Sequence, residues 1–276
     1  MPLIVMNREM GSLGKDVAYG LAAALGLKVQ HHEMIDHLAN RARLRKSHVI
    51  SFLEGSQGII ERLTVDQLKL RVLTADEIVS IAEGNEAVIL RGWGATSLFK
   101  DVPHVVRICV SASRRERVRR MMKRLDNLDE VQTGRIVDQN DEAARAVMRR
   151  HFHIDVRDIN EYDLGFNTDR VSVDQCIDQI IRTVQSPQFA ESDASRARLR
   201  DLAIMHHVRA ALRTHASTSH CTVRVSASTG KVTMEGVVDN PDERKACTEI
   251  ATRIKGVVEV DNRLHLNDVP VRLRGG

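Results

Sequence analysis

Residues 3–18 join a short apolar run to a glycine-containing turn and then to a helix, and this junction constrains the fold more than any other part of the chain. Leu3, Ile4, Val5 and Met6 read as a buried strand. Gly11, Gly14 and Lys15 follow, and from Val17 an Ala- and Leu-rich segment sets Val17, Leu21 and Leu25 on one helical face. Strand, glycine turn, lysine, helix is the layout of a phosphate cradle. Glycines let backbone N–H groups converge on an anion, the helix N-terminus adds its dipole, and lysine supplies a full charge. Gly11, Ser12, Leu13 and Gly14 are the expected cradle and Lys15 the expected cation. The spacing departs from G-x-x-x-x-G-K-[ST] at two places: Glu9 stands at the first glycine, and Asp16 at the hydroxyl.

Further apolar runs short enough for strands sit at 87–90, 104–110 and 163–167, with a weaker one near 28–31, and segments of helical period separate them. This alternation predicts an α/β fold, a parallel sheet with flanking helices. Helices are expected over 34–54 and 59–83, split at Gly55 and Gly58, then over 114–125, Val131 to Phe152, and Val173 to Val184 behind a Ser172 cap. Residues 186–198 lose periodicity and gain Ser, Asp and Pro, which predicts a linker between a domain at 1–185 and a second at 199–268. The second reads α-β-β-α-β, a small α+β unit. Leu202, Met205, Val208 and Leu212 mark its first helix, and Thr229-Gly230 turns one alternating strand into the next. Asn240-Pro241-Asp242-Glu243 signals a capped helix start, and Val258, Val260 and Leu264 complete the expected sheet face.

Composition narrows the function. A net charge of +4 suits a protein that handles phosphates, and 3% aromatic residues leave little for stacking on nucleic acid, so nucleic acid is not the expected partner. No apolar stretch reaches the ~18 residues of a membrane span, and the N-terminus lacks a basic segment followed by an apolar core, so a soluble cytoplasmic protein is expected. Cys109, Cys176, Cys221 and Cys247 lie far apart with no C-x-x-C, which predicts reduced thiols and neither a disulfide frame nor a zinc site. His31-His32, His151 with His153, and His206-His207 lack ligand spacing and read as ordinary histidines.

Four stretches occur in the order seen in one family: Asn7 to Ala18, His32 to Ala39, Ala87 to Ala95, and Tyr162-Asp163-Leu164 with Asn167-Thr168-Asp169. Through them the first 185 residues resemble the cytidylate kinase-like branch of the nucleoside monophosphate kinases, in the subfamily with the S-R-E-x-G-S-x-G-like loop. The resemblance implies a P-loop fold, ATP phosphates over residues 11–16, a nucleoside monophosphate opposite, and Mg²⁺. Gly230 to Val238 and Gly256 to Leu264 resemble the two glycine-centred motifs of a BON domain, which implies a lipid or protein partner for the C-terminal part.

Lys15 then follows the β- and γ-phosphates, and Asp16 is the residue that could bind Mg²⁺. Arg91, at a strand end before Gly92, suits a bidentate grip on the monophosphate. Asp36, Arg41 and Arg45 fall where related kinases hold the acceptor nucleotide. Arg114 to Arg124 sets seven positive charges against one negative; it reads either as a basic solvated helix face or as the base of a lid, which Arg145, Arg149 and Arg150 extend. Two functions remain open: ATP-dependent phosphoryl transfer to a nucleoside monophosphate, or a weakly active or inactive nucleotide-binding regulator whose C-terminal domain recruits a partner.

Overall fold

The structure is a computed structural model and describes residues 3–30, 33–54, 66–84, 87–92, 94–125 and 128–267. The expected break at Gly55 and Gly58, the start of the helix expected from 59, His31-His32 and Trp93 lie outside the described residues. The chain divides into two compact units, Met1–Arg196 and Ala197–Gly276.

The first unit holds a five-stranded parallel sheet in the order β2-β3-β1-β4-β5. Its strands are β1 (Leu3–Arg8), β2 (Lys28–Gln30), β3 (Val88–Arg91), β4 (Val105–Ser111) and β5 (Leu164–Asn167). Helix α1 (Gly14–Leu25) links β1 to β2. Between β2 and β3 come α2 (Glu33–Ala42), α3 (Lys46–Glu54) and α4 (Gln67–Gly84). The short α5 (Ala95–Leu98) precedes β4; α6 (Arg114–Met122), α7 (Glu130–Val147) and a π-helical turn, Met148–Phe152, precede β5; α8 (Val173–Val184) follows it.

Parallel strands buried on both faces read as unbroken apolar runs, which is why Leu3 to Met6 and Val88 to Leu90 show no alternation. One face carries Ile4, Met6, Ile89, Val106, Ile108 and Phe166 against Val17 and Leu21 of α1 and Cys176 and Ile180 of α8. Each such side chain contributes roughly 1.5–3 kcal/mol on burial. The chain leaves β1 towards one edge of the sheet and leaves β3 and β4 towards the other, so the carboxyl end of β1 is a topological switch point.

Ser172 caps α8 in a full capping box, as its sequence suggests. Two expectations need correction. The segment 34–54 is two helices, because Arg43 adopts a left-handed φ of 57° between them. The helix expected to run from Val131 to Phe152 stops at Val147 and continues as the π-helical turn, closed by His153 at φ 57°.

The second unit is α-β-β-α-β with a three-stranded sheet, β6 (Thr222–Ser228), β7 (Lys231–Val238) and β8 (Glu259–Leu266); β7 pairs antiparallel to β6 and parallel to β8. Its first helix, α9, spans Asp193–Thr214 and its second, α10, Pro241–Thr252. The last six residues of the segment read as a linker are therefore helical. Ser192 and Ser195 explain the start: each hydroxyl accepts the other's backbone N–H, at 3.1 and 2.9 Å. The β6–β7 hairpin turns through Thr229 and Gly230, both at positive φ (50° and 79°), and their N–H groups donate to the Asp201 carboxylate at 2.8 and 3.0 Å. Val225, Val232, Met234 and Leu264 meet Ile204, Val208, Cys247 and Ile250 in the core. Val258, expected on that face, is 82% exposed, because β8 begins one residue later.

Candidate functional site

The turn after β1 has the geometry its glycines suggest. Gly11 adopts φ 79° and Leu13 φ 62°, Ser12 N–H closes on the Glu9 carbonyl at 3.2 Å, and Val17 N–H reaches Leu13 at 3.0 Å. A Cβ on Gly11 would lie 2.8 Å from the Arg117 carbonyl oxygen, so a side chain there is opposed by space as well as by backbone angle. No side chain caps the N-terminus of α1, and its first turn keeps its N–H donors for an anion. Ser12 is fully buried and its Oγ makes no hydrogen bond, which adds a hydroxyl donor to the loop.

Lys15 and Arg91 converge although they stand 76 positions apart in the chain. Lys15 Nζ lies 5.7 Å and Arg91 Cζ 5.9 Å from the centre of the Tyr19 ring. Arg91 ends β3 opposite Met6 of β1, and the next N–H, of Gly92, donates to Met6 at 2.9 Å. Arg91 is buried, and loss of hydration pulls its pKa down. Desolvation also lowers Arg8, helped by the charges of Arg91 and Arg124 and opposed by Asp16. Cations crowded and dehydrated in this way gain from an anion brought among them.

Three arginines of the basic run hold the loop. Arg117 is buried; it pairs with both oxygens of Asp141 at 2.9 and 2.7 Å, donates to Ala112 O at 3.1 Å and Met10 O at 3.4 Å, and stands 3.5 Å from Glu9. Burial opposes its charge, but Asp141 and Glu9 outweigh this and raise its pKa. Arg120 donates to Gly11 O at 3.3 Å and to Thr168 Oγ1 and O at 3.0 and 2.7 Å. Thr168 Oγ1 reaches the Ser12 carbonyl at 2.9 Å. Arg124 pairs with Asp16 at 3.2 Å. Arg114 and Arg119 instead pair with Asp138 and Glu116 on the surface. The sequence offered a solvated face or a lid for this run; bracing of the loop from beneath was missed. The signal was present in loop carbonyls that need donors.

Other expected site residues lie apart from the loop's contacts. Arg41 pairs with the buried Asp76 and with Glu77, at 2.9 Å to the latter, and His37 shares Glu77 at 2.9 Å. Asp36 is exposed and bound to Lys46 at 2.7 Å. Arg149 is exposed in the π-helical turn, whereas Arg145 lines a cavity of about 600 Å³ at the carboxyl ends of β1, β4 and β5. Asn7, Glu9, Asn140, Tyr162 and Asn167 also line it. Asn7 Nδ2 donates to Tyr162 Oη at 2.9 Å, which donates to Val156 O at 3.0 Å. Burial raises the Tyr162 phenol and pushes the Cys109 thiol to about 11, so both stay protonated at neutral pH.

Sheet order, glycine loop and lysine at the head of α1 define a P-loop kinase-like α/β unit. The chain belongs to the cytidylate kinase-like family, whose model matches residues 3–170, and residues 200–268 match the BON domain. An uncharacterized protein from Eubacterium ventriosum ATCC 27560 shares the fold at TM-score 0.53 and 20% identity, over 67% of this chain and 99% of that one. Looser likenesses include shikimate kinase from Bacteroides thetaiotaomicron (TM-score 0.42, 14% identity, 67% of this chain and 99% of that one). Another is deoxyadenosine kinase from M. mycoides (TM-score 0.37, 12% identity, 66% and 97%). No curated protein matches the chain. Among the described residues no helix is long and apolar enough to cross a membrane.

Proposed function

We propose that the first unit transfers a phosphoryl group from ATP to a nucleoside monophosphate. The observation that carries this reading is the convergence of Lys15, from the glycine loop, with Arg91, from the end of β3, beside one ring. Phosphoryl transfer needs little covalent help; it needs two anions positioned and their charge neutralised. The glycine loop at residues 11–16, the head of α1 and Lys15 suit the donor phosphates, and Arg91 suits the acceptor phosphate. A cavity of about 600 Å³ beside the loop is of small-ligand size.

Mg²⁺ takes oxygen ligands and is commonly held by one or two carboxylates together with phosphates. Asp16 offers such a carboxylate, already paired with Arg124, and would hold the ion once that pair loosens. Mg²⁺ would supply charge neutralisation on the phosphates. The same pair favours a second reading, a regulatory unit that binds nucleotide with little turnover, its BON domain recruiting a lipid or protein partner.

One experiment separates these readings: ATP titration by calorimetry together with ADP release over a panel of nucleoside monophosphates, for wild type and Lys15→Ala. Loss of one charge-assisted contact should cost about 1.5–3 kcal/mol in ATP affinity, roughly 10- to 150-fold. Equal affinity of the two proteins would remove Lys15 from the site. ATP binding without turnover on any monophosphate would favour the regulatory reading.

A further inference from the structure

In the second unit, His220 and Cys221 precede β6 and Glu243 stands in the first turn of α10. His220 Nε2 lies 3.1 Å from Glu243 Oε1, Cys221 Sγ 3.7 Å from Glu243 Oε2, and the sulfur 3.8 Å from His220 Nε2. Among the described residues this is the one group of three or more His, Cys, Asp or Glu side chains whose ligand atoms all fall within 4.8 Å of one another. We propose that His220, Cys221 and Glu243 form a zinc site.

The triangle is the right size. Zinc bonds of roughly 2.0–2.1 Å to nitrogen, 2.0–2.2 Å to carboxylate oxygen and 2.3 Å to sulfur, set tetrahedrally, put ligand atoms about 3.3–3.6 Å apart. The ring-to-Oε1, thiol-to-Oε2 and ring-to-thiol separations each fall within a few tenths of an ångström of that range, and because ring and thiol meet different carboxylate oxygens, Glu243 would bind through both oxygens or turn slightly to offer one. The carboxylate is also held for the task. Asp239 N–H donates to Glu243 Oε2 and Asn240 Nδ2 to Oε1, both at 2.8 Å, and the Asn240 side chain accepts the Glu243 N–H at 2.9 Å. Outer hydrogen bonds of this kind orient metal ligands and tune their affinity. Each carboxylate oxygen therefore spends one lone pair on the helix cap and turns the other towards the ring or the thiol.

Zinc would take the place of one proton, that of the Cys221 thiol, and would need the His220 ring in the tautomer that leaves Nε2 free. Cys221 releases its thiol proton to solvent, and the neutral His220 ring carries its proton on Nδ1 while Nε2 binds. Thiolate and carboxylate balance the dication. Thiolate, imidazole and carboxylate together suit zinc better than the harder Mg²⁺ or Ca²⁺. Three protein ligands leave a fourth position, and all three residues line a cavity of about 730 Å³ shared with Arg209, Asp239 and Asn267. The sequence concealed the site because ligand spacing was sought along the chain, whereas Cys221 and Glu243 are 22 positions apart and the hairpin brings them together.

The test uses the full chain, stripped with chelator under reductant and titrated with Co²⁺ and then Zn²⁺. One equivalent of Co²⁺ should give a near-ultraviolet thiolate charge-transfer band and the strong visible bands of a four-coordinate ion, and Zn²⁺ should bleach both. Cys221→Ser should abolish the charge-transfer band. His220→Ala, at an exposed position with little bearing on folding, should weaken binding by more than about 100-fold, beyond the loss typical of outer-sphere changes. Arg119→Ala, an exposed substitution in the first unit, should bind as wild type does. Absence of the band in wild type, its survival in Cys221→Ser, or unchanged affinity in His220→Ala with circular dichroism intact would each overturn the assignment.

Discussion

Arg120→Ala tests whether the loop depends on its brace. The guanidinium makes three contacts, 3.3 Å to Gly11 O and 3.0 and 2.7 Å to Thr168, whose hydroxyl reaches Ser12 O. A hydrogen bond to a charged group contributes about 1.5–3 kcal/mol, and three bonds sharing one cation are not additive, so the whole brace is worth about 2–3 kcal/mol. If half of that reaches the loop, where Gly11 is held at a left-handed angle, ATP affinity should fall about tenfold. Arg119→Ala is the control. It removes the same charge from the same helix, but Arg119 is exposed and pairs only locally, with Glu116 at 2.5 Å, a kind of contact worth about 0.2–1 kcal/mol. Its ATP affinity should stay within about twofold of wild type. Calorimetry at about 0.15 M salt, where the screening length is about 8 Å, keeps the general field of α6 from dominating. Equal weakening by both substitutions would show that the helix acts through net charge alone, and no change in Arg120→Ala would refute the brace.

Arg41→Ala should lower stability by about 3 kcal/mol, the low end for breaking a buried pair, because Asp76 and Glu77 are buried and Arg41 is 38% exposed. For a protein of this size that is a drop of about 6–12 °C in Tm, and a variant melting as wild type does would return Arg41 to the list of free substrate ligands. His151 packs against Phe52 with ring centroids 4.5 Å apart, and burial, aided by Arg150, Arg71 and His153, pushes its pKa down to about 4. Below about 6.5 the unfolded chain takes a proton that the folded one refuses until about 4, so stability present above 6.5 is lost as pH falls across that window, by about 2 kcal/mol at pH 5. His151→Phe should flatten this part of the acid loss in melts at pH 7.5 and 5, and parallel losses in both proteins would show that His151 does not set it.

The sheet and both helix caps at Ser172 and Asn240 were legible because each rests on local pattern: apolar runs, a hydroxyl or amide before a helix, a residue three places on that answers it. The glycine loop was legible for the same reason. What escaped the sequence depends on direction. Arg117 and Arg119 are indistinguishable in composition, yet one is buried against Asp141 and the other exposed beside Glu116. Helical phase alone favours the solvated reading for any arginine. It takes the carbonyls of Met10 and Gly11, brought under α6 by the β1–β4 pairing, to turn two of them inward. The pairing of Arg41 was hidden in the same way, since its partners Asp76 and Glu77 lie on the buried side of α4, 35 and 36 positions further along the chain.

The two departures from the usual loop pattern belong together. Glu9 lies 3.5 Å from Arg117 Nε, and Asp16 lies 3.2 Å from Arg124 Nη2. An uncompensated carboxylate about 4 Å from a phosphate charge would cost on the order of 4 kcal/mol at an effective dielectric constant near 20. Two such costs would empty a phosphate site. Each acid instead has an arginine of one downstream segment beside it: Arg124 pairs with Asp16, and Arg117, held mainly by Asp141, stands near Glu9. Lys15 in the loop and Arg120 at the Gly11 carbonyl add two positive charges, so neither acid stands uncompensated. A motif mismatch read at Glu9 and Asp16 alone predicts a lost site, whereas the structure restores the balance from residues about a hundred positions away. The loop and the basic helix are therefore one electrostatic unit, and substitutions at Asp16 have their meaning only with Arg124 in place.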